Sequence, residues 1–248
     1  VHSPITFYGD VGGLARAGFD PANFLGMTPL GEQFATRGIE THAFVPASIA
    51  NSGLSRMHHI GSQLHGYTAE SDLLANLRDL LNSRPNNPKF VYAYWSLVDS
   101  LMHHYGTYNE RVTEQFRSFS EAFERILLAK LEPWAREDTL FLLTADHGSV
   151  ETPYDPKYDL RTHPDLMNML VMQPTCEGRL PYLYLKPGKE EAVRQYFEHA
   201  WPGQFSLITR QQVLDSGLLG RGTPHTDLEN RIGDLVAVPQ GKAYLWWV

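Results

Sequence analysis

Cysteine is almost absent: the 248-residue chain holds one, Cys176. A single thiol permits no internal disulfide and builds no zinc knuckle, so any metal must be gripped by imidazole and carboxylate. Long apolar runs are missing as well. None approaches the ~20 residues that span a bilayer, and the N-terminus lacks the basic-then-apolar layout of a secretory signal. Positive charge is scarce: 21 Lys and Arg stand against 28 Asp and Glu, a formal net charge of -7, with no basic stripe along any segment. That balance excludes a nucleic-acid groove and a membrane-surface helix as first readings. Three signatures are absent too. Without G-x-S-x-G there is no nucleophile elbow, and without a Walker-A or G-x-G-x-x-G loop there is no glycine cradle for a nucleotide. The chain opens with Val1 rather than Met. The expectation is a soluble protein whose compartment stays open, cytoplasmic or exported with a leader lying before Val1.

What is present is 42% apolar and 20% charged residues, a composition that suits one globular α/β domain over residues 1–248. In "TPLGEQFATRG", Thr28 reads as an N-cap, Pro29 as the first helical residue and Gly38 as the stop, before the strand-like "IETHAFVP". Leu73, Leu74, Leu77, Leu80 and Leu81 then share a helical face, and Pro85 closes that helix before the strand "KFVYAYWSLVD". Residues 109–131 repeat the helical spacing with Val112, Phe116, Phe119 and Phe123, and "TLFLLTAD" reads as a short buried strand. Helices alternating with apolar strands predict a layered α/β fold with a mostly parallel central sheet, whose ligands sit at the strands' carboxyl ends. Beyond residue 150 a Pro- and Tyr-rich loop leads to a β-α-β-α unit, about 175–217, predicted as a small inserted α+β lobe. "RIGDLVAVP" and "KAYLWWV" read as two further strands. No internal repeat interrupts the pattern.

Asp99 closes one predicted strand, and His103 follows four residues on, so a helix starting there would set both on one face where they could grip one cation. Asp146 and His147 close another, with Gly148 free to turn the chain sharply. Alone, each pair reads as a cap or a turn. Their shared place after apolar strand runs is what points to a two-metal site, with ions ~4 Å apart able to clamp both oxygens of a phosphoryl transfer. The other histidines are weaker candidates. His58, His59 and His65 read as surface or satisfied loop residues, and His104 should point away from His103 on a helix. His163 could contact substrate, with a structural role the better reading. His225 could add a third imidazole, although the spacing favours a cap or core contact ahead of a strand.

The stretch "YWSLVDSLMHHYG", followed about forty residues later by "LLTADHG", resembles the alkaline phosphatase superfamily in its nucleotide pyrophosphatase and type I phosphodiesterase branch. The likeness extends to "RTHPDL", "RLPYLYLKPG" and "PHTDLENRIGDLVAVP". It implies a three-layer alkaline-phosphatase-like fold and metal-dependent hydrolysis of a small-molecule phosphate ester, a phosphodiester or nucleotide-type compound. By that resemblance Asp99 and His103 ligate one metal and Asp146 and His147 the other. The metals would be zinc, with manganese or magnesium as alternatives. The family's first Asp ligand and its Thr or Ser nucleophile have no counterpart before "TPLGEQFATRG", and its final His ligand has none after "KAYLWWV". No catalytic nucleophile is therefore expected within residues 1–248, and little activity from these residues alone. His225 matches a family histidine that is not a ligand. Rival readings are a phosphomutase or sulfatase of the same superfamily, for which Cys176 lies far from the nucleophile position, and a non-catalytic binding domain that retains the fold.

Overall fold

A short helix, α1 (Leu30–Ala35), feeds β1 (Glu40–Pro46), with its start one residue later than the sequence predicts. Pro29 occupies the N-cap, and Thr28 offers its carbonyl to Gln33 Nε2 at 2.7 Å instead of a capping hydroxyl. Gly38 ends the turn at φ 71°, which glycine adopts without strain. Five successive residues, Thr41 to Val45, are buried in β1. Burial at consecutive positions means cover on both faces, the mark of a central parallel strand. β2 (Gln63–Tyr67) and β3 (Lys89–Ala93) flank it in the order β2-β1-β3, all parallel. Parallel neighbours need crossovers. α2 (Ala47–Ala50) and α3 (Gly53–His58) carry the chain from β1 to β2, and α4 (Glu70–Asn82) carries it from β2 to β3.

This computed structural model describes residues 16–18, 20, 26–83, 87–220 and 222–247. The chain divides into two compact units, Val1–Ser149 and Val150–Val248. In the first, one sheet face packs Phe44 and Tyr67 against Leu73, Leu74 and Leu77 of α4, together with Leu127. Burying each such leucine contributes about 1.5–3 kcal/mol. The predicted helix over 109–131 forms as α6 (Glu110–Ala122), after α5 (Leu97–Tyr105), and continues through a π-turn at Phe123–Leu127 and a 3₁₀ turn at Leu128–Lys130. A further short helix, α7 (Pro133–Glu137), buries Ala135. Among the described residues no helix is long and apolar enough to cross a membrane.

In the first unit two strand expectations change. β3 stops at Ala93, so Asp99 lies in the first turn of α5 rather than at a strand end. The apolar run 139–146 joins no sheet among the described residues, and Leu142 and Leu143 are 84% and 86% exposed. Side-chain composition favours a strand there, but a strand exists only where a neighbour takes its backbone hydrogen bonds.

The second unit is antiparallel. β4 (Thr175–Glu177), β5 (Leu180–Leu183), β6 (Phe205–Thr209) and β7 (Leu235–Pro239) order as β4-β5-β7-β6. α8 (Pro164–Met169) and α9 (Glu190–Ala200) supply Leu166, Val193 and Phe197 to a core that also holds Trp201, while α10 (Arg210–Asp215) and α11 (Leu228–Arg231) complete the unit. "KAYLWWV" forms only a bridge, Asp159 with Trp246, yet Ala243, Tyr244 and Leu245 are buried. Asp159, itself buried, accepts from Arg161 Nε and Nη2 and from the Tyr154 hydroxyl. Its carboxyl is held well below the usual range, chiefly by those Arg161 bonds. His163 is engaged at both ring nitrogens, by the Tyr196 hydroxyl at 2.8 Å and the Lys157 carbonyl at 2.9 Å. Its role here is structural.

Truncating Leu74, fully buried against the sheet, should cost about 2–5 kcal/mol as Leu74→Ala, read as a lower denaturant midpoint. An unchanged midpoint would place the first unit's core elsewhere. A second expectation concerns acid. His42, 4% exposed, meets His65 ring to ring, Nδ1 to Nε2 at 3.1 Å, and burial lowers the pKa of both. A ring kept neutral by the fold must be neutral for that stability to count. Stability should therefore fall as pH drops through about 6.5, the unfolded value. His42→Gln should flatten that slope between pH 7 and 5 in denaturant titrations, and an unaltered slope would assign the acid sensitivity to other groups.

Candidate metal centre

The far end of β3 sets up the site. Tyr94 continues the strand by one backbone bond, from its N–H to the Phe44 carbonyl at 2.9 Å. The buried Tyr67 phenol, pushed up to about 12 first by burial, donates to the Tyr94 carbonyl at 2.8 Å. Glu70, in the first turn of α4, accepts from Trp95 Nε1 at 2.7 Å and from Gln115 Nε2 at 2.6 Å. Trp95 stacks on Phe119 with ring centroids 3.8 Å apart, so the segment entering α5 is tied to both α4 and α6. A rigid lead-in of this kind fixes where the first turn of α5 points.

On α5, Asp99 and His103 lie one turn apart with Oδ1 and Nε2 3.4 Å from each other. Gly106 ends the helix at φ 84°. His104 turns the other way and bonds the Ser100 carbonyl through Nδ1 at 3.1 Å. Asp146 and His147 sit in irregular chain, with Asp146 Oδ2 3.7 Å from His147 Nε2 and Asp146 Oδ1 accepting from the His147 backbone N–H at 3.1 Å. The Thr107 and Ser149 hydroxyls, 3.2 Å apart, link the loop after α5 to the loop after His147. The Tyr94 phenol feels both pairs: its pKa is raised first by burial, then by the negative charges of Asp146 and Asp99. Tyr92 is raised by burial first, with smaller contributions from Tyr94 and Asp146.

Each pair offers a carboxylate and an imidazole, the donor types that suit a divalent cation in a chain with one cysteine. Both pairs reach solvent, His103 most freely at 75% side-chain exposure. Among the described residues no group of three His, Cys, Asp or Glu side chains is arranged to hold an ion. Donor chemistry fits a metal, while the number of ligands per pair is half that of a four-coordinate shell.

The remaining histidines separate clearly. His65 is satisfied by His42. The His225 ring accepts from the Asp227 backbone N–H at 3.1 Å, a local turn contact ahead of α11. His58 and His59, at the end of α3, border a cleft with Tyr92 and Tyr94. Sequence reasoning passed over these two tyrosines. The legible signal was Phe90, Tyr92 and Tyr94 at every second residue, which sets them on one face of a strand.

The sequence matches the type I phosphodiesterase / nucleotide pyrophosphatase family over residues 34–245. Among curated proteins no match is found. The fold is similar to that of murine ectonucleotide pyrophosphatase/phosphodiesterase 5, solved as an inactive variant in complex with AMP, with a TM-score of 0.57, 14% identity, and coverage of 88% of this chain and 55% of that one. The human counterpart gives 0.56, 16%, 89% and 56%. Phosphonoacetate hydrolase from Sinorhizobium meliloti, in complex with phosphonoacetate, gives 0.53, 16%, 88% and 60%. The chain thus spans 55–60% of the length of these solved relatives. With the α/β architecture and a family match covering most of its length, the chain belongs to the type I phosphodiesterase / nucleotide pyrophosphatase family.

Proposed function

We propose that the protein, as a whole, hydrolyses phosphate esters, phosphodiesters or nucleotide-type compounds first, with the help of two divalent metals, zinc being the first choice and manganese or magnesium the alternatives. Asp99 and His103 would hold one ion, Asp146 and His147 the other. The observation that carries this reading is the 3.2 Å contact between the Thr107 and Ser149 hydroxyls, which ties the loop after Asp99 and His103 to the loop after Asp146 and His147, in a family of phosphodiesterases. Bound there, divalent ions supply positive charge for the oxygens on phosphorus.

The chain's own residues have two tasks. The two carboxylates and two imidazoles must present lone pairs, so each must be unprotonated when the cations bind. The lead-in held by Glu70 and Trp95 keeps Asp99 and His103 in register on α5, which matters because a misplacement of about 1 Å can cost roughly 100-fold in rate. The hydroxyl nucleophile implied by the family resemblance is proposed to lie outside residues 1–248, so turnover is expected from the longer protein. AMP in one similar structure supports the phosphate-ester reading, while phosphonoacetate in another, whose phosphorus carries a carbon substituent instead of an ester, marks phosphonate hydrolysis as the alternative.

In the whole enzyme, His103→Ala and Asp146→Ala should each lower turnover about 100-fold or more, since either removes a ligand from a different ion. Zinc content measured on the same preparations should fall with activity. Full zinc occupancy in both variants would overturn the ligand assignment.

A further inference from the structure

The two carboxylate-imidazole pairs stand on unequal supports. Asp99 and His103 belong to α5, whose end is firmly built: the Gly106 N–H bonds the Met102 carbonyl at 2.9 Å, and three residues on Asn109 Oδ1 caps α6 by accepting from the Arg111 N–H at 3.1 Å. Thr107 sits between these two fixings, four residues past His103. Asp146 and His147 have no such frame. They lie in residues 140–150, which form neither helix nor strand, and no backbone-to-backbone hydrogen bond among the described residues engages that run. At its start Thr139 Oγ1 donates to the Ala135 carbonyl at 2.6 Å, and the Phe141 ring meets Phe123 edge-on with centroids 5.9 Å apart. The chain then passes through the exposed Leu142 and Leu143 and both candidate ligands before Ser149 reaches Thr107, hydroxyl to hydroxyl at 3.2 Å.

An arc of chain closed at both ends has far fewer arrangements than one held at a single end. The Ser149 contact supplies the second hold two residues beyond His147, and it fastens that hold to the frame of the other pair. Resting on the two-metal reading above, we infer that Thr107 and Ser149 are positioning residues: their hydroxyls latch the segment bearing Asp146 and His147 to the end of α5 and so set the spacing at which the two divalent ions are held. The latch sets distance and takes no part in ligation, because a hydroxyl bonded to a hydroxyl leaves both carboxylates and both imidazoles to the cations. Both hydroxyls are exposed, so water competes for each of them and the latch biases the arc without holding the fold.

Electron paramagnetic resonance of the manganese-loaded full chain tests this, because two manganese ions held close together give a coupled signal that isolated ions do not. Thr107→Val, which keeps the side chain's shape and removes its hydroxyl, and Ser149→Ala should each lower the ratio of coupled to isolated manganese roughly two- to tenfold, the range of one neutral hydrogen bond. The double variant should be no worse than either single one, since both remove the same contact. Thr107→Ser should restore the original ratio. Thermal unfolding shows whether each variant folds, and Ser149→Ala decides alone if Thr107→Val does not. A ratio that survives in both single variants, losses that add in the double variant, or a loss that Thr107→Ser does not restore would overturn the inference while the two-metal reading stands. Absence of a coupled signal in the unaltered chain, or one that His103→Ala leaves unchanged, would overturn that reading and the inference with it.

Discussion

The hydrogen bond from the buried Tyr67 phenol to the Tyr94 carbonyl is the constraint on which the site depends. It joins the end of β2 to the residue just past β3 across the central strand, at the edge where a parallel sheet presents ligand-binding groups. Breaking it would leave a buried hydroxyl unpaired and release the chain that leads into α5. From that fixed point the Trp95 and Glu70 contacts continue the hold into the first turn of the helix, where Asp99 sits. Precision in the site comes from the sheet and α4, because the candidate ligands themselves are exposed and make only weak mutual contacts.

That division of labour explains the electrostatics. The pKa of the Tyr94 phenol is raised first by burial and then by Asp146 and Asp99, whose carboxylates both reach solvent. Exposure lets water screen both charges, so holding the two carboxylates there costs little.

Much of the fold was legible in the sequence, and for identifiable reasons. The leucines of α4 and the aromatic residues of α6 follow the helical period because each helix buries one face, and β1 reads as a strand from its alternation, although the fold covers both its faces. The pairing of Asp99 with His103 was legible from spacing alone, since four residues on a helix bring side chains together. The end of β3 was not. Tyr94 and Trp95 are as aromatic as the strand before them, and the tertiary holds on both accompany a strand that ends at Ala93, six residues before the expected Asp99. The run 139–146 shows the opposite limit: its leucines carry a strand's composition, yet composition does not supply the neighbouring backbone that makes a strand. His58 and His59 read as surface residues because nothing in "SRMHHIG" tells which sheet face α3 lies against.

The central claim is that two carboxylate-imidazole pairs form one metal centre, and anomalous X-ray scattering at the zinc edge from crystals of the zinc-loaded protein tests it most directly. The account predicts two anomalous peaks about 4 Å apart, one against Asp99 and His103 and the other against Asp146 and His147. Peaks more than about 10 Å apart, a separation that no two-metal phosphoryl site spans, or zinc bound away from all four residues, would contradict it.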